Sequence, residues 1–233
     1  MKWNSRIVET LAWNTTIKNK KQKQIVASRI ASLVKDGDVI GVGSGSTSYL
    51  ALMAIARRVK EEQLQIKAIP TSLEILLFCI QENIPVTTLD NHVPEWCFDG
   101  ADEVDPSNNL IKGRGGAMFK EKLLIRACPK AFIMVDRSKI VSALGTNFPI
   151  PVEVFPTALP VVEKEMGKLS PSEISLRTGK GKDGPVITEN GNLIMDVWFK
   201  DISPDLEKNI KSITGVIESG LFWGYQNIEL VHD

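Results

Sequence analysis

Short apolar runs alternate with helical segments over the first 135 residues, and this alternation constrains the fold more than any other feature of the sequence. Apolar residues recur at helical spacing in four segments, which are separated by shorter β-rich runs. Strands that alternate with helices form a mostly parallel sheet with helices on both faces, so we predict a Rossmann-like α/β fold here. The predicted strands span residues 39–42, 66–69, 85–89, 96–98 and 131–135, and the predicted helices span residues 20–35, 48–59, 73–82 and 117–126.

A different pattern begins at Pro149, where prolines punctuate the chain. The order from there is strand, helix, two strands, helix and strand, with Asn190-Gly191 as a hairpin signal between the middle strands. This order is typical of a smaller α+β domain of the ferredoxin-like kind, with an antiparallel sheet. We therefore predict an N-terminal extension, a Rossmann-like catalytic domain and a small α+β domain, at residues 1–17, residues 18–147 with 221–233, and residues 148–220.

The composition makes several function classes improbable. Lys plus Arg and Asp plus Glu number 28 each, so no global field favours nucleic acid or a membrane, and we expect neither as a partner. With only His92 and His232, a histidine triad or a histidine-rich metal cluster is nearly excluded, which leaves acid–base chemistry to carboxylates and lysines. Three widely spaced cysteines, no apolar run near the ~20 residues of a membrane helix and no signal-peptide core predict a cytoplasmic protein.

Five motifs directly follow predicted strands. In parallel sheets, ligands bind beyond the carboxyl ends of the strands. We therefore expect these loops to form one site on one edge of the sheet. They lie at residues 43–47, 70–72, 99–102, 112–116 and 136–139.

The first motif is the glycine-rich loop Gly41-Val-Gly-Ser-Gly-Ser-Thr47, which joins a strand to a helix. Such a loop directs backbone amides toward an anion at a helix N-terminus, and its hydroxyl groups add donors. The loop lacks the Gly-Lys-Ser/Thr ending of a nucleotide P-loop, so a small phosphate fits better than a triphosphate. A dinucleotide site would also need an acidic residue at the end of the next strand, where Pro70 and Thr71 lie instead. The alternative is a structural turn with a capped helix.

Four acids lie within the seven residues that begin at Asp99. Asp99 follows an apolar strand, a glycine lets the chain turn, and Asp102 comes three residues later, so both carboxylates can point into one crevice. We interpret Glu103 and Asp105 as solvated or capping. The alternatives for the first two acids are a surface turn and a magnesium site.

A lysine follows the acids at the start of a second glycine loop. Lys112 at such a position can neutralise a phosphate or an enediolate oxygen. Arg114, within the loop, reaches either a partner subunit or water.

Glu121 lies on the apolar face of the helix that follows, because Leu124 and Ile125 are three and four residues further on. A carboxylate removed from water is a better base, so we expect Glu121 to abstract a proton. A surface ion pair is the alternative. The neighbouring cations of this helix are predicted to lie on other faces: Lys120, Lys122 and Arg126.

Together these motifs make the chain resemble the ribose-5-phosphate isomerases of type A. That family carries a GxGTGST-type loop, a DGADE segment, a KGGGGA- or KGRGGA-type loop and an REK-type glutamate. The resemblance runs from about Lys20 to the C-terminus. The matching segments of this chain are Gly41–Thr47, Asp99–Glu103, Lys112–Ala117 and Lys120–Lys122.

The resemblance implies an aldose–ketose isomerase of the non-oxidative pentose phosphate pathway, which interconverts D-ribose 5-phosphate and D-ribulose 5-phosphate through an enediol. It implies no metal and no organic cofactor, a small pentose phosphate as the ligand, and a homodimer or homotetramer. Glu121 then falls on the proton-shuttling base, and Asp99, Asp102 and Lys112 fall on residues that open the sugar ring and stabilise the enediolate. The substrate-contacting positions are Lys23, Ser44, Gly45, Ser46, Thr47, Gly100, Ala101, Gly113, Arg114, Gly115 and Lys139.

Three other functions stay open at this point. A deaminating isomerase of amino-sugar phosphates would favour a histidine for ring opening, and no histidine lies near these motifs. A non-catalytic sugar-phosphate sensor would tolerate the loss of Glu121 or Lys112 and would carry a DNA-binding segment, and no helix-turn-helix is evident. A dinucleotide-dependent oxidoreductase would bind NAD tightly.

Overall fold

The computed structural model of the chain describes residues 6–13, 16–179, 181 and 183–233. Its α-helices, α1 to α7 in chain order, are Arg6–Glu9, Lys20–Ala31, Gly45–Glu62, Leu73–Gln81, Met118–Ala127, Leu159–Gly167 and Leu206–Lys211. Its strands, β1 to β12, are Val39–Val42, Lys67–Pro70, Trp96–Gly100, Glu103–Val104, Leu110–Ile111, Ala131–Val135, Ile150–Val154, Glu173–Leu176, Leu193–Trp198, Val216–Ser219, Leu221–Phe222 and Ile228–His232. Among the described helices, none combines the length and the hydropathy needed to cross a bilayer.

The chain divides into two compact units, each assembled from separate stretches of sequence. The first unit comprises Met1–Gly100, Leu124–Asp136 and Glu229–Asp233, and the second comprises Ala101–Leu123 and Arg137–Ile228. Helix α5 contributes its first turns to the second unit and its remainder to the first. The domain boundaries that we predict from the sequence divide the chain at other points and stay a prediction.

A five-stranded sheet forms the centre of the first unit, in the order β12-β6-β3-β1-β2. β1 pairs in parallel with β2 and β3, and β3 pairs in parallel with β6. Every residue of β1 and β6 is buried, as is typical of parallel strands that are covered on both faces. Helices α2 and α3 cover the sheet with fully buried side chains, among them Val26, Ile30, Leu52 and Ile55. The prediction of a Rossmann-like α/β fold is confirmed.

The second unit contains a four-stranded antiparallel sheet in the order β10-β7-β9-β8. Along the chain, α6 follows β7 and α7 follows β9, so the unit has the β-α-β-β-α-β order predicted from the sequence. Its core includes the fully buried side chains Val152, Val162, Val197 and Ile210. A separate antiparallel sheet, in the order β11-β5-β4, consists of two-residue strands that show no alternating pattern in the sequence.

One predicted strand is wrong. Residues 85–89 form only an isolated bridge, between Val86 and Ala68. The Ala68 amide donates to the Pro85 carbonyl at 2.8 Å, and Ala68 accepts from the Thr87 amide at 2.9 Å. The ladder does not extend further because Pro85 has no N–H to donate, and β2 itself ends at Pro70.

Part of the predicted N-terminal extension packs on the first unit. The Trp13 ring stacks on Tyr49 of α3, with ring centroids 5.0 Å apart, and Tyr49 also contacts Phe78 of α4. The Gln81 side chain donates to the Leu11 carbonyl at 3.0 Å. Residues 11–13 therefore add an aromatic contact to the core, whereas residues 1–5 and 14–15 lie outside the described residues.

Glu103 is completely buried, so of its two interpretations, solvated or capping, the solvated one is wrong. Its carboxylate accepts from the backbone amides of Gly145 at 2.6 Å and Phe148 at 3.1 Å, and also from that of Asn147. A buried carboxylate is tolerated where backbone amides satisfy it, and here it fixes the loop that precedes β7. Asp105 makes the predicted turn, since it accepts from the amides of Ser107 and Asn109 at 2.8 and 2.9 Å.

We expect Glu103→Gln to lower the free energy of unfolding by roughly 2–4 kcal/mol, because an amide nitrogen then faces a backbone N–H and one charge-assisted acceptor is lost. Urea unfolding with a constant m-value measures the change. The control is Glu165→Gln, which removes a surface pair with Lys168 and should cost less than about 1 kcal/mol. Equal effects of the two substitutions would contradict the structural role of Glu103.

Candidate active site

The predicted site residues fall into two sets, one in each unit. The first unit holds the glycine-rich loop between β1 and α3. Ser44 is the N-cap of the 18-residue helix α3, and Gly45 adopts φ +82°, a conformation that favours glycine. Ser44, Gly45, Ser46 and Thr47 are all half-buried. The loop thus presents backbone amides and hydroxyl groups at the positive end of a long helix, an arrangement suited to a phosphate.

Asp99, at the end of β3, packs directly against this loop. It is buried, and its Oδ1 accepts from the Gly100 amide at 2.7 Å and from the Ser48 hydroxyl at 3.5 Å. A Cβ on Gly43 would lie 2.1 Å from the Asp99 carboxyl carbon. Gly43 is therefore required because a side chain there would displace the Asp99 carboxylate.

Lys23 also reaches the glycine-rich loop. Its ammonium donates to the Ser46 hydroxyl at 3.0 Å, although α2 is distant from the loop in the sequence. Lys23 therefore lies beside Ser46, another of the residues that we predict to contact the substrate. One loop amide, that of Gly45, donates to the exposed carboxylate of Glu74 at 3.4 Å.

The 70–72 turn has structural contacts in the first unit. The amide and the hydroxyl of Thr71 both donate to the Val42 carbonyl, at 3.0 and 3.2 Å. The Ser72 hydroxyl caps α4 by accepting from the Ile75 amide at 3.4 Å. These contacts connect the end of β1 to the turn after β2, and they fix the start of α4.

In the second unit, Lys112 and Glu121 form a buried ion pair. Lys112 Nζ lies 3.2 Å from Glu121 Oε2, and the two residues are only 2% and 4% exposed. Lys112 follows β5, and Glu121 lies in the first turn of α5, where its amide donates to the Ala117 carbonyl. A carboxylate shielded from water beside a cation suits the removal of a proton next to a developing oxyanion.

The glycine loop between these two residues is rigidly held. Gly113 and Gly116 have φ +98° and +84°, and the Gly116 amide donates to the Gly113 carbonyl at 3.0 Å. The Arg177 guanidinium donates to the carbonyls of Gly113 and Arg114, both at 2.9 Å, and pairs with Asp196. These hydrogen bonds fix the backbone between Lys112 and the start of α5.

Asp102 lies beside this loop and is half-buried, with its Oδ2 accepting from the Arg114 amide at 3.1 Å. Burial raises the pKa of Asp102 above its ordinary value, and the positive charges of Lys112 and Lys139 oppose that rise. A carboxyl group of this kind retains a proton at higher pH than an exposed one, so it can act as an acid.

Two further cations share one aromatic ring. Lys139 Nζ lies 4.6 Å, and the Arg114 guanidinium carbon 5.8 Å, from the centre of the Phe148 ring. Arg114 and Gly115 are exposed, and Lys139 is half-buried. Cation–π contacts of this length restrict both side chains while leaving their donors available to an anion.

The remaining predicted positions have simple placements. Gly100 ends β3 and Ala101 begins the second unit, and both are half-buried, whereas Gly113 is buried. Within the described residues, no group of three or more His, Cys, Asp or Glu side chains is arranged to hold a metal ion.

The sequence did not reveal several residues that organise the site. Arg177 and Phe148 come from the second half of the chain, and neither of them is assigned a role in the site from the sequence. Ser48 has a signal in retrospect, since it follows the hydroxyl-rich loop directly. Lys122 was predicted on another face of α5, but it is 4% exposed, because the first turn of the helix is packed on more than one side.

Comparisons with known proteins show which family the chain is similar to. A family model described as ribose 5-phosphate isomerase A (phosphoriboisomerase A) matches residues 67–232. The ribose-5-phosphate isomerase A of Methanocaldococcus jannaschii is 44% identical over 206 residues, covering 88% of this chain and 91% of that protein. The protein of the same name from Thermosynechococcus vestitus is 42% identical over 217 residues, covering 91% of each.

Solved structures give the same result. The structure of ribose 5-phosphate isomerase A from Methanocaldococcus jannaschii has a TM-score of 0.88 and 41% identity, covering 93% of this chain and 96% of that one. A D-ribose-5-phosphate isomerase in complex with phospho-erythronic acid has a TM-score of 0.87 and 36% identity, covering 92% and 96%.

We expect Lys112→Met to raise the pKa of Asp102 further, because burial then acts without the strongest opposing charge. Carbon-detected NMR titration of the aspartate carboxyl groups measures this pKa. Lys139→Met is the matched control and should raise the pKa by less, since the Lys139 charge has a smaller effect on Asp102. An unchanged or lowered pKa in Lys112→Met would contradict the proposed electrostatic balance.

Proposed function

The chain belongs to the ribose 5-phosphate isomerase A family, and we propose that it interconverts D-ribose 5-phosphate and D-ribulose 5-phosphate with Glu121 as the base. The observation that carries this assignment is the buried Lys112–Glu121 pair, with 3.2 Å between Nζ and Oε2. The complex of a similar isomerase with phospho-erythronic acid, a sugar-acid phosphate, supports the substrate class. The reaction passes through an enediol.

Glu121 and Lys112 divide the chemistry of the open-chain sugar. Glu121 takes the proton from C2 of the aldose, and the electrons of that bond move to form the C1–C2 double bond as the carbonyl oxygen becomes negative. Lys112 stabilises this oxyanion, since a cation that touches the base is near the oxygen atoms beside the reacting carbon. A proton moves between the two enediol oxygens, and Glu121 returns its proton to C1, which gives the ketose.

Asp102 and Asp99 open the sugar ring. Opening a furanose needs a proton on the ring oxygen and the removal of the proton from the C1 hydroxyl group. Asp102 supplies the first proton, because its raised pKa keeps a fraction of it protonated. Asp99, whose position depends on the absence of a side chain at Gly43, accepts the second.

The remaining polar residues hold the substrate. The helix-terminal loop and Lys23 suit the phosphate group, since they combine amides, hydroxyl groups and a cation. Arg114 and Lys139, both held on Phe148, add positive charge to the second set. The proposed substrate-binding residues are Lys23, Ser44, Gly45, Ser46, Thr47, Gly100, Ala101, Gly113, Arg114, Gly115 and Lys139.

We infer further that the protein works in the cytoplasm as a homodimer or a homotetramer. The compartment is inferred from the three widely spaced cysteines of the sequence, Cys79, Cys97 and Cys128, which are all buried. The oligomeric state is inferred from the resemblance to the family.

The purified chain should convert D-ribose 5-phosphate to D-ribulose 5-phosphate in the presence of EDTA and without added NAD. A coupled assay for the ketose measures the rate, which we expect to be the same with and without the chelator. Loss of activity in EDTA that returns with magnesium would contradict the proposed chemistry, and activity on another sugar phosphate alone would redirect the substrate assignment.

Glu121→Gln should lower kcat by about two to four orders of magnitude, because general-base catalysis typically contributes that much. The fold should persist, as checked by circular dichroism and thermal unfolding. Glu163→Gln, at an exposed position of α6, is the matched control and should turn over normally. Near-wild-type turnover of Glu121→Gln would remove the mechanism.

A further inference from the structure

Residues 219–222, which we call the 219–222 segment, determine where the Lys112 backbone lies. The Lys112 amide donates to the Gly220 carbonyl at 2.8 Å, and Ile111 pairs with Leu221 in the β5–β11 ladder. A Cβ on Gly220 would lie 2.0 Å from the Lys112 carbonyl oxygen. The two backbones are therefore in closest contact at the residue that carries the catalytic ammonium group.

The same segment holds helix α5 through Lys122, the residue after Glu121. The Lys122 ammonium donates to the Leu221 carbonyl at 2.8 Å, and it is 3.5 Å from the Ser219 hydroxyl. It also pairs with Glu207 at 2.8 Å and with Glu218 at 3.1 Å. Because its side chain is buried in these contacts, Lys122 limits both rotation and sliding of the first turn of α5.

Phe222 lies near both ammonium groups. Its ring centre is 4.6 Å from Lys122 Nζ and 5.8 Å from Lys112 Nζ, and the ring is fully buried. Each lysine therefore has a favourable cation–π contact with one shared ring. The ring also excludes water from the space beside the two cations.

The acceptors of Lys122 are themselves fixed. Glu207 accepts from the Trp223 amide at 2.7 Å and from the Tyr225 hydroxyl at 2.9 Å. Burial alone would raise the pKa of Glu218, but Lys122, Lys211 and the Ser219 amide together hold that pKa below its ordinary value. Lys122 thus meets two immobile acidic side chains, at least one of which is stabilised in its charged form.

We propose that Lys122 is a positioning residue for the isomerisation, which sets the distance between Glu121 and Lys112 by anchoring α5 to the 219–222 segment. The inference rests on the proposed function of the Lys112–Glu121 pair. The 219–222 segment contacts both members of the pair. It binds the backbone of Lys112 directly, and it binds Lys122, the residue that follows Glu121. Proton transfer is sensitive to displacements of about 1 Å, so loosening this anchor should slow the chemical step more than it weakens substrate binding.

Lys122→Met tests the role, since methionine retains most of the side-chain length but no donor or charge. We expect kcat to fall about 10- to 100-fold while KM for D-ribose 5-phosphate stays within about threefold. Lys122→Arg, which keeps the donors and the charge, should restore most of kcat. The matched control is Lys211→Met, which removes the other, half-exposed lysine partner of Glu218 and should leave kcat unchanged.

Two further variants keep the test decisive if Lys122→Met does not fold. Lys122→Met/Glu218→Gln removes one charge of each sign, and Phe222→Leu weakens the shared ring contact without changing any charge. Each folded protein, verified by circular dichroism, should show the same fall in kcat at nearly constant KM. Wild-type kcat in a folded Lys122 variant, or an equal fall in Lys211→Met, would overturn the positioning role.

The experiments distinguish a failure of the positioning role of Lys122 from a failure of the proposed function. If Glu121→Gln abolishes turnover while the folded Lys122 variants turn over normally, only the positioning role is wrong. If Glu121→Gln retains turnover, the proposed base is wrong and the positioning role is removed with it.

Discussion

The buried ion pair between Lys112 and Glu121 imposes the strictest requirement on the second unit. Removing two ions from water is costly, and their attraction compensates only when they are held at contact distance. Several features of the unit meet that condition. Gly113 and Gly116 bend the chain in left-handed conformations, and the Lys112 backbone packs against Gly220 without room for a Cβ. The pair is therefore a consequence of backbone geometry as much as of charge.

The same principle applies to Asp99 in the first unit. Its carboxylate occupies space that any residue with a Cβ at position 43 would take. The glycines of the loop therefore do more than allow a tight turn, because one of them admits a buried carboxylate beside a helix N-terminus. Asp102 meets different conditions, since burial and neighbouring cations act on it in opposite directions. Asp99, Asp102 and Glu121 thus have three different environments, which is what the separate roles proposed for them require.

Much of the fold was predictable because its strong elements have strong patterns. The strands 39–42 and 131–135 match their predicted bounds, since each is a buried apolar run. The two-residue strands β4, β5 and β11 were not predicted, because so few residues carry no periodicity. The burial of Glu103 was not predictable, because its three amide donors belong to a loop about forty residues later in the sequence.

The sequence by itself determined the class of fold and the residues of the proposed site, because short motifs carry both: strands followed by glycine loops, and carboxylates followed by lysines. It also placed Glu121 on a buried face of its helix, since that face is set by local periodicity. Only the tertiary structure decided which charges meet. Lys112 pairs with Glu121, whereas Lys122, one residue further, meets Glu207 and Glu218. The physical reason is that an ion pair depends on distances of a few ångströms between residues up to 96 positions apart, and no local pattern specifies such distances.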